Sequence, residues 1–167
     1  FEDYAQWCVD QFWLSPSDVV CEIGANDGTL LKYFASQHGL VGYAFEPAQN
    51  LHGALRAAGA IVEGTYFTLE KAQYFVRAHG QVKLVIANNV LAHINDLAEV
   101  VGGVERILAP DGNFVFEVQY LPLHLQRGIV DGFYSEHLDY HTVRPLQDFL
   151  RERGLHIQHA EVVETHG

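Results

Sequence analysis

The sequence contains no methionine, not even at position 1, and only two cysteines, Cys8 and Cys21, among its 167 residues. Two cysteines give little basis for a disulfide framework or a structural zinc site. No apolar run approaches the ~20 residues that cross a bilayer, and no signal-peptide pattern opens the chain. We therefore expect a cytoplasmic, reducing setting. The missing methionine indicates a domain of a longer polypeptide, although a processed protein would share this feature.

Basic residues are also scarce: 10 lysines and arginines stand against 21 aspartates and glutamates, for a formal net charge of −11. Nucleic-acid backbones and anionic membranes attract proteins through basic patches. We therefore expect no nucleic-acid partner and no membrane partner, and we expect a small-molecule substrate instead. With 49% hydrophobic residues, the chain suits one domain with a substantial core, covering residues 1–167.

Short apolar runs alternate with helical periodicities along the chain. They predict strands over 18–23, 40–45, 61–63, 82–87, 113–118 and 156–163, and helices over 1–14, 30–37, 49–58, 69–78, 96–108 and 144–152. Pro110-Asp111-Gly112 predicts a turn, residues 1–16 a leading helix segment, and residues 121–142 an insertion at the substrate site. The order predicts an α/β fold, a Rossmann-like doubly wound and mostly parallel sheet with right-handed crossovers.

A glycine turn follows the first predicted strand, in the segment Glu22-Ile23-Gly24-Ala25-Asn26-Asp27-Gly28. Glycine lets the backbone approach a ligand closely, and the next helix directs free N–H groups toward it. Ligands of open α/β sheets bind at the carboxyl ends of the strands, near the switch in strand order, and the glycine turn follows such a strand end. Because position 26 is Asn, the G-x-G-x-x-G spacing is absent, which disfavours a cofactor with a pyrophosphate. A tight connection without a ligand is the alternative.

The second and fourth strands also end in polar residues. Glu46, followed by Pro47, lies about twenty residues after the glycine turn, where an acid can bind both ribose hydroxyls of an adenosine. Asn88 and Asn89 can bind the amino and carboxylate groups of a methionine moiety, or they can serve only in capping and turn formation. His93 either faces the cofactor pocket or is a packed histidine on the following turn.

Together the segments 22–31, 45–47 and 88–94 resemble the class I S-adenosylmethionine methyltransferases. More narrowly, they are similar to the sugar C-methyltransferases that act on nucleotide-linked 4-keto deoxysugars. The segment Phe-Tyr-Ser-Glu-His-Leu-Asp-Tyr at 133–140 resembles that family's Tyr-x-Glu-His-Leu-x-Tyr stretch, and residues 164–167 resemble the start of its His-Gly-Gly segment. The resemblance spans almost the whole chain.

This resemblance implies S-adenosylmethionine as the cofactor and C-methylation in deoxysugar biosynthesis as the activity. The implied cofactor-binding residues are Glu22, Gly24, Asn26, Asp27, Gly28, Glu46, Pro47, Tyr66, Phe67, Asn88, Asn89 and His93, with Tyr66 or Phe67 flanking the adenine. Tyr134, Glu136 and His137 would line the acceptor site, and His137 is the candidate base. Methylating a carbon next to a ketone requires a base that removes a proton, and a neighbouring carboxylate can orient an imidazole for that task.

The sequence departs from the family in several respects. Position 135 is Ser instead of the usual His, and the family's N-terminal zinc-binding segment, its substrate-facing tyrosine and its C-terminal domain are not found. The last antiparallel strand of the sheet is also expected to be missing, and flanking domains of a longer chain are expected. Three alternatives stay open: an O- or N-methyltransferase, a methylation domain of a multidomain synthase, or a non-catalytic cofactor-binding module. A metal site formed by Glu136, His137 and His141 is a further alternative.

Overall fold

The computed structural model describes residues 1–128 and 135–163, and at its centre lies a sheet of five parallel strands. These are β1 (Val19–Ile23), β2 (Val41–Phe45), β3 (Ile61–Glu63), β4 (Val82–Asn88) and β5 (Leu108–Glu117). Their order across the sheet is β3-β2-β1-β4-β5. The chain places β2 and then β3 on one side of β1, and it then crosses over to place β4 and β5 on the other side of β1. This switch in strand order leaves a crevice between the carboxyl ends of β1 and β4. The predicted doubly wound fold is confirmed.

Helices connect the strands and cover both faces of the sheet. They are α1 (Glu2–Phe12), α2 (Thr29–His38), α3 (His52–Ala57), α4 (Leu69–His79), α5 (Leu97–Ile107), α6 (Leu121–Arg127) and α7 (Val143–Arg151). Side chains cap two of the starts: Thr68 Oγ1 accepts from Lys71 N at 3.2 Å, and Asp96 Oδ1 accepts from Glu99 N at 3.0 Å. No helix in the described part of the chain is long and apolar enough to span a membrane.

The three central strands, β1, β2 and β4, are buried on both faces, so the core lies in two layers. One layer joins Cys21 and Val85 of the sheet to Phe75 of α4 and to α5, and the other joins Val20 and Leu84 to α1 and α2. Neighbouring residues of one strand thus enter opposite layers, as the pleat of a strand requires. Near-continuous apolar strands of this kind are typical of parallel sheets covered by helices on both sides.

Three segments differ in part from the sequence-based expectations, and a fourth, described below, differs entirely. The helix predicted over 49–58 begins as a 3₁₀ turn, Gln49–Leu51, before α3. β5 already begins at Leu108, but its pairing with β4 jumps from Val82↔Leu108 to Leu84↔Asn113. Pro110-Asp111-Gly112, predicted as a turn before the strand, instead lies within β5 at this irregularity in its pairing. The insertion predicted over 121–142 contains a helix, α6, in its described part.

The strand predicted over 156–163 is wrong, because these residues form no regular structure. Leu155 and Ile157 pack on a small cluster with Leu146 and Leu150 of α7, and residues 158–163 are exposed. The apolar residues at the start of this segment therefore pack on a helix and not on a neighbouring strand. A strand also needs backbone hydrogen bonds to a neighbour.

Neighbouring aromatic residues of α4 provide a test of the core. Phe75 is 2% exposed and packs edge-on against Tyr43, with ring centroids 4.8 Å apart, whereas Tyr74 is 62% exposed. We expect Phe75→Ala to lower the free energy of unfolding by about 3–5 kcal/mol, because it opens a cavity between α4 and the sheet. Tyr74→Ala, the matched control, should change it by less than about 0.5 kcal/mol. Urea titration measures both, and equal effects would contradict this placement of α4.

Candidate active site

The glycine turn between β1 and α2 brings together the ends of three strands. Gly24 has a φ of 68°, in the left-handed region, and a Cβ at this position would lie 2.5 Å from Val90 Cγ2, in the loop after β4. Its N–H donates to the carbonyl of Phe45, at the end of β2, at 2.9 Å. Because only glycine fits both the conformation and the space, this turn packs closely against two neighbouring strand ends. Asn26 and Gly28 are also left-handed, with φ of 50° and 80°.

Glu46 lies directly after β2 and is 8% exposed. Its two carboxylate oxygens accept from different backbone groups: Oε2 from Asn26 N at 3.1 Å and Oε1 from Ala48 N at 2.9 Å. The first bond ties the carboxylate to the glycine turn, and the second folds it back over Pro47. Each oxygen of a carboxylate can accept two hydrogen bonds, so acceptor capacity remains on both.

Glu22, in β1, is a second buried carboxyl group, with 6% exposure. Its Oε2 is fully buried and finds no hydrogen-bond partner in the described part of the chain. Burial, and secondarily the negative charge of Asp27, raises the pKa of this carboxyl group from 4.5 to about 8. Asp27 itself is exposed, and its Oδ1 accepts from the amide and hydroxyl of Thr29 at the start of α2.

The two asparagines at the end of β4 turn toward different neighbours. Asn88 Oδ1 accepts from the hydroxyl of Tyr4, on α1, at 3.1 Å. Asn89 is left-handed, with a φ of 54°, and its Nδ2 donates to Glu117 Oε1, at the end of β5, at 2.7 Å. Burial is the main cause that raises the pKa of Tyr4, and the charges of Glu117 and Glu22 raise it further. The structure thus gathers polar groups from α1, β1, β4 and β5 at one end of the crevice.

The two candidate adenine neighbours have different surroundings. Phe67 is 5% exposed and packs edge-on against Phe45, with ring centroids 4.9 Å apart. It therefore belongs to the core. Tyr66 is 74% exposed, so its ring is the one of the two that is accessible to a ligand.

Residues 136–139 are tied to the short 3₁₀ turn that follows β4, Leu91–His93. Ala92 O accepts from Leu138 N at 2.7 Å and from Asp139 N at 3.4 Å, and His93 Nδ1 donates to the carbonyl of Glu136 at 2.9 Å. The rings of His93 and His137 lie edge to face, with centroids 4.8 Å apart. The structure therefore brings both histidines to the same edge of the sheet as the glycine turn.

His137 is 9% exposed, Glu136 is exposed, and Tyr134 lies outside the described residues, as does the segment 164–167. His141 is buried, and its Nε2 has no hydrogen-bond partner in residues 1–128 and 135–163. Burial lowers the pKa of His141, although Asp139 opposes this shift. Within the same ranges no group of three His, Cys, Asp or Glu side chains could hold a metal ion. The metal site considered for Glu136, His137 and His141 is therefore not formed.

Sequence reasoning missed Tyr4 and Glu117 as members of this site. Tyr4 packs on the core as a partly buried residue of α1, and helical periodicity alone does not show that its hydroxyl reaches β4. Glu117 could have been found from its position, since it ends a parallel strand as Glu46 does. The feature that could have identified Glu117 was therefore its position at the carboxyl end of β5.

The sequence and the fold of this chain are similar to those of known proteins. A family model described as a methyltransferase domain matches residues 3–160. The C-methyltransferase NovU of Streptomyces niveus is 34% identical over 160 residues, which cover 96% of this chain and 38% of NovU. The chain thus spans little more than a third of that relative's length.

Solved structures share the fold at low identity. The cyclopropane synthase MmaA2 of Mycobacterium tuberculosis has a TM-score of 0.69 at 11% identity, covering 94% of this chain and 61% of its own. Phosphoethanolamine N-methyltransferase 2 of Haemonchus contortus, solved in complex with S-adenosyl-L-methionine, has a TM-score of 0.59 at 13% identity. That alignment covers 91% of this chain and 36% of the Haemonchus contortus chain.

The buried Glu22 predicts a specific dependence of stability on pH. With its pKa near 8 in the folded state and near 4.5 in the unfolded chain, this group binds a proton in the folded state that the unfolded chain has released. Its stabilising contribution is complete below the lower pKa and is lost as pH rises to about 8. We expect Glu22→Gln to flatten the decline in unfolding free energy over this window by up to ~1.4 kcal/mol per pH unit. Urea titrations at several pH values measure the slopes, and parallel slopes would contradict the raised pKa.

Proposed function

Because the chain belongs to the methyltransferase domain family, we propose that it binds S-adenosylmethionine at the carboxyl edge of its sheet and methylates a small molecule. The proposed acceptor is a carbon next to a ketone in a nucleotide-linked deoxysugar. Two observations support this choice: the 34% identical relative is a C-methyltransferase, and the sequence at 133–140 resembles sugar C-methyltransferases.

The observation that carries the proposal is the buried carboxylate of Glu46. Two backbone N–H groups fix it at 3.1 and 2.9 Å, while each oxygen keeps the capacity to accept from a ribose hydroxyl. A carboxylate fixed in this way pays little entropy when it binds a diol. The backbone of the glycine turn lies directly beside it, and the exposed ring of Tyr66 follows β3 on the adenine side.

The other end of the crevice fits an amino-acid moiety. An ammonium group next to Glu22 would satisfy the orphaned Oε2 and favour the charged carboxylate. Asn88 and Tyr4 add neutral hydrogen-bonding groups to this end. The methionine portion of the cofactor carries both an ammonium and a carboxylate, so its chemistry matches this polar set.

His137 is the proposed base. When bound, S-adenosylmethionine would supply a methyl group on a positively charged sulfur, and that sulfur would keep the electron pair of the C–S bond as the methyl group passes to the acceptor carbon. The imidazole of His137 removes the proton from that carbon, and the electron pair of the broken C–H bond passes into the enolate that attacks the methyl group. The bonds from residues 138 and 139 to Ala92 hold this segment at the end of β4, beside the proposed methionine site.

A binding experiment tests the cofactor site. We expect isothermal titration of the wild-type chain with S-adenosylhomocysteine to show a single site, and Glu46→Gln to weaken it by about 10- to 100-fold, since a charged acceptor of ribose hydroxyls is lost. Glu70→Gln, an exposed glutamate of α4, is the matched control and should leave the affinity unchanged. A folded wild-type chain that does not bind would contradict the proposal.

Proton exchange tests the acceptor chemistry. In D₂O, with S-adenosylhomocysteine bound, we expect the wild-type chain to exchange the α-proton of a nucleotide-linked 4-keto deoxysugar, followed by proton NMR. His137→Ala should slow this exchange by about 10²- to 10⁴-fold and leave the affinity for S-adenosylhomocysteine intact, because a general base is lost. His156→Ala, which removes an exposed histidine, is the control. Absent exchange with intact cofactor binding would favour an O- or N-methyltransferase.

A further inference from the structure

His52, the first residue of α3, links two loops of the proposed adenosine site. Its Nε2 donates to the backbone carbonyl of Glu46 at 2.8 Å. Its ring also lies against the loop after β3, because a Cβ on Gly64 would be 2.7 Å from Cε1 of His52. The ring is half-buried between the ends of β2 and β3.

We propose that His52 is a positioning residue. It orients the carboxylate of Glu46 toward the ribose, and it holds the loop after β3, on the proposed adenine side, next to Glu46. This inference rests on the proposed cofactor site and deepens it. His52 does not have to touch the ligand, because it acts through the backbone of Glu46.

The backbone geometry after β2 explains the effect. Glu46 is followed by Pro47, which has no N–H, so the next backbone donor is Ala48, and this donor binds Glu46 Oε1 at 2.9 Å. The amide of Glu46 donates to the carbonyl of Glu63 at 3.2 Å, and its carbonyl accepts from His52. With both backbone groups held, the turn over 46–48 keeps the orientation in which Ala48 reaches the carboxylate.

Gly64 leaves the space that the ring of His52 occupies. No left-handed conformation is required at this position, so an alanine there brings no backbone strain and acts only through space. The added methyl group would displace the imidazole of His52, which is the far end of a side chain. The bond from Nε2 to the Glu46 carbonyl would then break, although His52 itself is unchanged.

Amide variants at position 52 separate the hydrogen bond from packing. In glutamine the side-chain nitrogen is as many bonds from Cα as Nε2 of histidine, whereas in asparagine it is one bond closer. We expect His52→Ala and His52→Asn to weaken the binding of S-adenosylhomocysteine by about three- to tenfold, and His52→Gln to restore it to within about twofold of wild type. Equal losses in all three variants would overturn the proposal, since packing alone would then explain them.

A double-mutant cycle with Gly64→Ala tests the coupling. Gly64→Ala should weaken binding to a similar extent as His52→Ala. The double variant should bind about as well as the single variant with the lower affinity, because both substitutions remove the same interaction. Losses that multiply would overturn the proposal. Gly53→Ala, next to His52 on α3 with nothing within 4 Å of its Cβ position, is the matched control and should leave the affinity unchanged.

Amide hydrogen exchange gives a readout that needs no ligand. We expect His52→Ala to speed exchange at the amide of Ala48, whose bond to Glu46 Oε1 loosens, and to leave the amide of Val85 in β4 unchanged. If the wild-type chain does not bind S-adenosylhomocysteine, the proposed function fails, and this experiment still decides the role of His52. Unchanged exchange at Ala48 would overturn the positioning role even where binding is intact.

Discussion

The close approach of Gly24 to its neighbours is the constraint on which the rest of the site depends. The backbone of this residue bonds to the end of β2, and the side chain of Val90, after β4, packs directly against it, so three strand ends meet at a position that has no room for a side chain of its own. Any larger residue would push the loops after β1 and β4 apart. The carboxylate of Glu46 reaches the amide of Asn26 only because the glycine turn is held at this distance.

Two buried carboxyl groups stand on either side of that turn, and their environments give them different properties. The carboxylate of Glu46 accepts from two backbone N–H groups, so it is oriented before any ligand arrives. Glu22 has an oxygen without a partner, and burial favours its protonated form in the free protein. The fold therefore supplies hydrogen-bond donors to Glu46, whereas Glu22 Oε2 lacks a donor that a cationic group can provide. Such an unmet requirement costs stability, which is expected at a functional site.

Much of the fold could be predicted from the sequence, because the parallel strands are short apolar runs and the helices between them are periodic. The strand bounds predicted for β1 and β3 differ from the observed ones by at most one residue. The prediction for 156–163 failed because strand pairing depends on a neighbour that local alternation does not reveal. Glu46 and the glycine turn were predictable because they end strands. The bond from Tyr4 to Asn88 was not, since it joins a helix side chain to a position far along the sequence. The bond from His52 to the carbonyl of Glu46 was not either, although the two residues are close in sequence, because it depends on how the loop after β2 folds back on α3.

The attachment of residues 136–139 has a consequence for how this architecture can diversify. Backbone bonds to a single carbonyl, that of Ala92, and the contact with His93 fasten the proposed acceptor segment to the sheet. The adenosine half, built on the ends of β1 and β2, shares none of these bonds. A different segment at 136–139 would therefore leave the bonds around Glu46 and the glycine turn in place, so the proposed acceptor and cofactor sites can change independently.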